Sequence, residues 1–229
     1  MRPSTHLRRQ TTADAVAENL RQRVFDGALR PGDRINVDAI AHELGVSRVP
    51  VREALIGMTR DGLMITPPHK GVYVGDFDEG VLRDHFEIVG MVQGMAAAHL
   101  VEAGDPGVRS RLATIVEQLG SSRDADEIHF LGTEFHRIIN REGGTSRERS
   151  VLRALARMLP TGFILQIPGG AQATSEGAPR IYEAIRSGRP NDARRACLEI
   201  QRARGELVIE HLRARGVFRV PGAASPSLN

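Results

Sequence analysis

The stretch Val46-Ser47-Arg48-Val49-Pro50-Val51-Arg52-Glu53-Ala54-Leu55 decides how the N-terminal part of the chain folds. Ser47 carries a good N-cap side chain, whose oxygen can take a free backbone N–H, and Pro50 falls in the first turn, where its missing donor costs least. A helix is therefore predicted to begin here. From that start Val51, Ala54, Leu55 and Met58 recur at i, i+3, i+4 and i+7 as one apolar stripe, while Arg48 and Arg52 share a different face near the N-terminal end. Just upstream, residues 37–44 read as a short helix with Ile40, Ala41 and Leu44 inward, stopped by Gly45 before a three-residue turn. The pair is a helix-turn-helix pattern with the second helix as the reader. Two arginines on a helix are by themselves more often a solvated face, so the context has to carry the reading. It does: beyond Asp61-Gly62, residues 63–66 and 72–74 can pair as two short strands around Pro67-Pro68-His69-Lys70-Gly71, a wing tip carrying a cation.

Several motifs of this region occur in the order found in a known family. Leu29-Arg30-Pro31-Gly32-Asp33-Arg34-Ile35, Ala41-His42-Glu43-Leu44-Gly45-Val46-Ser47-Arg48, Pro50-Val51-Arg52-Glu53-Ala54-Leu55, Asp61-Gly62-Leu63 and Lys70-Gly71-Val72 together resemble the winged-helix domain of GntR-type bacterial transcription regulators. The resemblance places Ser47, Arg48, Arg52 and Gly71 where that family touches operator DNA. Val49 departs from it: the family commonly has Thr there, so a methyl contact to thymine would replace a hydroxyl contact.

With 229 residues, 41% of them hydrophobic, the chain can bury a real core in one or two domains, and with no Trp that core must be aliphatic. The net charge of +3 is unevenly placed: residues 1–75 hold eleven basic and eight acidic side chains, residues 76–229 twenty of each. The surplus therefore lies with the winged helix. Lys70 is the only lysine, which can reflect genome composition as much as function. Cys197 is the single cysteine, which excludes an intrachain disulfide framework and suits a reducing compartment; an inert buried thiol is the expectation. The N-terminal stretch is polar and basic, and no run approaches the ~20 apolar residues of a membrane helix. A cytoplasmic protein is expected.

The winged helix is expected over 12–75, beginning with a helix over 12–27 capped by Thr12, with Val16, Ala17, Leu20 and Val24 on one face. Gly75-Asp76-Phe77-Asp78 is too brief for a floppy linker, so close coupling of two domains is expected. Beyond it the periodicity is helical almost throughout, which makes the chain mostly α. Six helices are predicted at about 78–103, 106–120, 124–142, 146–166, 177–187 and 190–215, the fourth kinked or split at Pro160, with a loop over 168–175. Residues 216–229 read as a disordered tail. On Phe86-Glu87-Ile88, Glu134-Phe135-His136 and Ile181-Tyr182-Glu183-Ala184-Ile185-Arg186-Ser187-Gly188, this all-α unit over 78–215 resembles the FCD ligand-sensing domain of the FadR subgroup. The resemblance implies that it senses a small molecule and forms a homodimer on palindromic operator DNA.

No catalytic signature occurs: no Gly-x-Ser-x-Gly, His-Glu-x-x-His, phosphate loop or paired-Cys metal motif. His129, Gly132, His136 and Asn140 share one face of the third sensor helix, but two histidines seven apart have backbones about 10 Å apart and cannot share one ion at ~2.1 Å. Each reads as a core or pocket-lining histidine. Gly90 and Gly94, four apart, either admit a neighbouring helix or open a cavity. The metal-binding FCD pattern, carried over by resemblance, keeps His136 but meets Gly132, Ala178 and Ala203 at its other ligand positions, so no metal and no other cofactor is expected. Its arginine position falls at Gly90. With anionic and cationic anchors lost and Phe163-Ile164-Leu165-Gln166-Ile167 largely apolar, the expected cavity is roomy, with His136, Gln93, Gln166 and Tyr182 as polar groups and an effector bulkier or less acidic than a metal-chelated carboxylate. The rival readings are a sequence-tolerant nucleic-acid-binding protein with a ligand-free helical dimerisation domain, and a helical enzyme with a DNA-binding appendage.

Overall fold

Thr11 caps the first helix, α1 (Thr12–Phe25): its hydroxyl accepts the Asp14 N–H while the Asp14 carboxylate accepts the Thr11 N–H. The cap is thus one residue earlier than expected, because Asp14 completes a capping box only with Thr11. The computed structural model describes residues 11–68 and 70–218; the basic stretch 1–10, His69 of the wing tip and residues 219–229 of the expected tail lie outside the described residues. The chain forms two units, one ending at Asp76 and one spanning 77–218.

In the first unit α1 is followed by α2 (Val37–Glu43) and α3 (Arg48–Arg60). Asn36 caps α2 by accepting the N–H groups of Asp38 and Ala39. Val16, Leu20 and Val24 of α1 meet Val51, Leu55 and Met58 of α3 in an aliphatic core, with Ile40 of α2 closing one side. Ser47 has the extended backbone of an N-cap, φ −73° and ψ 167°, but its hydroxyl makes no capping bond. Of the two N–H groups that a cap oxygen can accept, those of the second and third helical residues, the third is missing here because that residue is Pro50. The wing pairs β1 (Met64–Ile65) with β2 (Tyr73–Val74) antiparallel, Met64 opposite Val74 and Ile65 opposite Tyr73. A third segment joins it: Ile35 N–H donates to the Val72 carbonyl at 2.8 Å, Val74 N–H donates to Asp33 at 2.9 Å, and Arg34 bridges Tyr73.

The second unit is all helical: α4 (Glu79–Ala103), α5 (Pro106–Ser121), α6 (Ala125–Glu142), α7 (Ser146–Leu155), α8 (Phe163–Gln166), α9 (Gly170–Arg186) and α10 (Pro190–Ala214). Its centre is the antiparallel pair α4 and α10. A Cβ on Gly90 would lie 2.9 Å from Leu198 Cα, one on Gly94 3.0 Å from Arg194 Cα, and one on Gly205 3.0 Å from Phe86 Cβ. Gly90 and Gly94 therefore serve close packing and open no cavity between these helices. Around the seam, Glu79 pairs with Arg213 at 2.8 Å, Arg83 with Glu206 at 2.7 Å and Glu87 with Arg202 at 2.6 Å. These exposed pairs fix register more than they add stability. On the other side of α4, Leu112, Leu119, Phe135, Ile139, Ile181 and Ile185 form the main core.

Three sequence expectations change here. The helix expected over 146–166 ends at Leu155 and resumes only as the single turn α8, because Pro160 disfavours helical backbone before it and removes a donor. The loop expected over 168–175 is instead the first part of α9, which begins at Gly170 and carries Pro179 inside it. Glycine and serine there suggested a loop, yet Gly170, Thr174, Gly177, Ala178, Ile181 and Ile185 are buried at helical spacing. Small side chains mark the packed face: a Cβ on Gly177 would lie 3.0 Å from Ile200, and one on Gly170 would run into the Ile164 carbonyl. Of the expected tail, Val217 and Phe218 are packed: Val217 is buried and the Phe218 ring stands edge-on to Phe77 at 6.1 Å.

Gly170→Ala tests the reading of α9. A methyl forced against a backbone carbonyl should destabilise the protein by about 1–3 kcal/mol, as overpacking does, whereas a residue in a free loop would give no change; urea unfolding with an unchanged m-value measures it.

Candidate functional site

The first turn of α3 projects its side chains outward as a group. Val49 is 62% exposed and Ile56, two turns on along the same face, is 56% exposed, while Arg52 between them is exposed too. Arg48 reaches back to α2, its Nε 2.6 Å from Asp38 Oδ1, with both side chains about two-thirds in water. Ser47 stands at the head of the helix without a capping bond, and its hydroxyl and the first α3 N–H groups form an anion-accepting end. In the wing, Lys70 N–H closes the tip by donating to the Pro67 carbonyl at 3.1 Å, and Gly71 takes φ 94°, a conformation that favours glycine. Arg34 lies beside it, its Nε 3.5 Å from where a Gly71 Cβ would be. Ser47, Arg48, Val49 and Arg52 thus share one convex face, with Lys70 and Gly71 at the wing tip. Sequence reading missed Ile56, Asp38 and Arg34. Ile56 falls off the apolar stripe and could have been flagged by periodicity; the other two depend on tertiary contacts.

A second candidate site lies within the helical unit. Two adjoining cavities share Thr133, His136, Leu159 and Ile164 in their walls. The smaller, about 160 Å³, is bounded by His129 and Gly132 of α6, Thr174 of α9 and Arg204 of α10. The larger, about 700 Å³, adds His85 and Gln93 of α4, Asn140 of α6 and Arg149 and Arg153 of α7. Of the expected polar groups, His136 and Gln93 line the larger cavity, where Gln93 accepts from Gln201 at 2.7 Å. Gln166 is exposed on α8 and Tyr182 packs against the core, so neither joins them.

Arg204 is what sequence reading missed. It is only 9% exposed, its Nη1 lies 2.9 Å from His136 Nε2, and its Nε has no partner. The cavity expected to lack a cationic anchor therefore has one, supplied from α10 and not from the Gly90 position on α4. Burial pulls the Arg204 pKa down to about 10, which leaves it charged at neutral pH. Facing a guanidinium N–H, His136 Nε2 must accept, so the ring is neutral with its proton on Nδ1. Residues expected at metal positions do not fit a metal: the Nε2 of His136 faces a cation, Ala178 is buried in the core, and the place of a side chain at Gly132 is filled by the Thr174 methyl, 2.5 Å from where a Cβ would sit. Among the described residues no three His, Cys, Asp or Glu stand together as a metal site. Cys197 is buried and its thiol is pushed up to about 12 by that burial, an inert group.

Burial also holds two histidines neutral. His136 is depressed to about 3, by desolvation first and the Arg204 charge second, and His85 to about 4 by desolvation. A folded pKa below the unfolded value near 6.5 means that the unfolded chain binds protons first as pH falls, so stability is full above about pH 6.5 and declines toward pH 4. The slope should reach at most about 1.4 kcal/mol per pH unit for each histidine. Chemical denaturation from pH 7 to 4 should show this decline, and His85→Gln should flatten it; equal slopes in parent and variant would exclude His85 as a source.

Comparison with known proteins identifies both domains. Residues 12–74 match the family of bacterial regulatory proteins called gntR, and residues 84–203 match the FCD domain. An HTH-type transcriptional regulator of Mycobacterium tuberculosis is 29% identical over 217 residues, 93% of this chain and 87% of its own length. The gluconate operon transcriptional repressor of Bacillus subtilis is 28% identical over 184 residues, 79% of this chain and 75% of its own. Among solved structures, E. coli McbR/YncC shares the fold with a TM-score of 0.60 at 21% identity, covering 87% of this chain and 98% of that one. No helix among the described residues is long and apolar enough to cross a membrane. With a gntR-type winged helix ahead of an FCD domain, the chain belongs to the gntR family of bacterial transcriptional regulators, of FadR-like architecture, binding DNA through the first domain and sensing a small-molecule effector through the second.

Proposed function

We propose that the chain acts in the cytoplasm as a homodimer on a palindromic operator, with α3 in the major groove. The observation that carries this reading is the exposed first turn of α3, where Arg48, Val49 and Arg52 stand together at an uncapped helix end. Arg48 and Arg52 read guanine edges, Val49 and Ile56 meet thymine methyl groups, and Ser47 with the α3 N–H groups holds a backbone phosphate. Lys70 and Gly71 bring the wing to the adjacent minor groove. Asp38 holds Arg48 in the absence of DNA and is exchanged for a base on binding. Effector in the cavity walled by His136 and Gln93 biases two arrangements of the paired winged helices, only one of which matches the half-site spacing.

Dimerisation through the helical unit is supported by α4, which leaves Val81, Ile88, Met91 and Met95 between 40% and 48% exposed. Their spacings of seven, three and four are those of a helix seam meeting a second copy of itself. Two half-sites also give operator affinity that one winged helix reaches with difficulty.

Arg48→Ala and Arg52→Ala should each cost about 1–3 kcal/mol at the operator and relax preference at one base position, while Lys70→Ala weakens all sequences alike. Binding assays at fixed salt measure this, and full sequence discrimination in either arginine variant would remove the assignment. Separately, the full chain should sediment as a dimer at micromolar concentration and Ile88→Glu combined with Met91→Glu as a monomer; a monomeric parent chain would exclude the dimer.

A further inference from the structure

A buried positive charge without a counter-ion needs explanation. Arg204 is 9% exposed; the cavity it shares with His136 has no Asp or Glu in its wall, and in a second one that it also lines the single carboxylate, Glu176, accepts from Gln172 and makes no ion pair with it. Among the described residues the hydrogen-bond partner of Arg204 is the neutral His136 ring at 2.9 Å, and the Arg204 Nε is left without a partner. Such an ion is expensive to keep in a folded domain, and natural sequences keep it where something pairs with it. The adjoining larger cavity holds a second unsatisfied group, Asn140 Oδ1, one helical turn from His136. Arg141, Arg149 and Arg153 add further positive charge around the larger cavity.

On these observations, and resting on the reading of this cavity as the effector site, we infer that the effector is a small carboxylate with an apolar body, held without a metal, its carboxylate paired with the Arg204 guanidinium. The planar fork of arginine takes a carboxylate through two parallel N–H bonds, with more directionality than a lysine would give. The smaller cavity has room for such a head group, and the adjoining larger cavity, walled by Phe86, Val89, Leu152 and Ile164, takes the body. The guanidinium occupies the Nε2 side of His136, so that nitrogen is not free to bind an ion. Anchoring has moved from a dication shared by several ligands to one buried organic cation.

The test is thermal melting of the full chain with straight-chain monocarboxylates from butanoate to dodecanoate and with benzoate and phenylacetate, each against its primary amide, in buffer containing a metal chelator. At least one acid should raise the melting temperature by roughly 5–10 °C at about a hundred times its Kd, its amide should not, and Arg204→Met should abolish the shift. Arg204→Met should itself melt at or above the parent temperature without ligand, since it replaces an unpaired buried charge by an apolar side chain of similar length. Amides that match their acids would overturn the inference while leaving the cavity as an effector site. A shift that persists in Arg204→Met or disappears with chelator would overturn it, and so would a panel in which no acid acts. If Arg204→Met melts well below the parent, the charge is structural and the inference also falls.

Discussion

Backbone-to-backbone packing of α4 on α10 is the constraint on which the helical domain depends. Gly90 and Gly94 on one helix and Gly205 on the other leave no room for a Cβ, so the two longest helices come together at a distance that side chains would forbid. Three ion pairs along the rim and the buried Gln93 to Gln201 bond hold the register. Because the seam is fixed, α10 presents Arg204 inward opposite α6, and α4 presents His85 and Gln93 to the same space. The cavity is therefore a by-product of where two helices can touch, and its chemistry follows from which residues lie one turn beyond the contact.

A similar local constraint shapes the DNA-reading end. Pro50 at the third position of α3 removes one of the two N–H groups that a capping Ser47 could use, and the Ser47 hydroxyl makes no capping bond. The helix end stays open, its dipole uncompensated by a side-chain cap, and Arg48 and Asp38 pair across the turn that precedes it. Such an end suits a partner that brings its own negative charge, and the stripe of Val51, Ala54, Leu55 and Met58 holds it rigidly against α1.

Electrostatics differ sharply between the surface and the interior of the sensor. Outside, arginines meet carboxylates: Glu79, Glu87, Glu134 and Glu183 are all held below the usual carboxylate range by a neighbouring guanidinium. Inside, Arg204 meets only a neutral imidazole, and burial lowers its pKa instead of a partner raising it. Equal totals of acid and base in this half of the chain conceal that contrast.

The sequence by itself determined the winged helix, the helical character of the remainder and the family. Those features rest on local signals: the spacing of apolar residues, Gly45 and Pro50 as stop and start, and motifs in a fixed order. It also brought His136 and Gln93 forward as cavity residues, through the resemblance to the FCD domain. Tertiary structure decided the rest. Whether Gly170, Gly177 and Thr174 make a loop or the packed face of a helix depends on Ile164, Ile200 and Gly132 lying opposite them, which no local window contains. Gln166 is exposed on α8 and Tyr182 lies against the core, away from the cavity they were expected to line. Arg204 reads in sequence as one of many arginines on an amphipathic helix, and only the meeting of α10 with α6, sixty-eight residues apart at Arg204 and His136, makes it a buried charge. Long-range burial changes what a side chain is chemically, and that information is not carried by its neighbours along the chain.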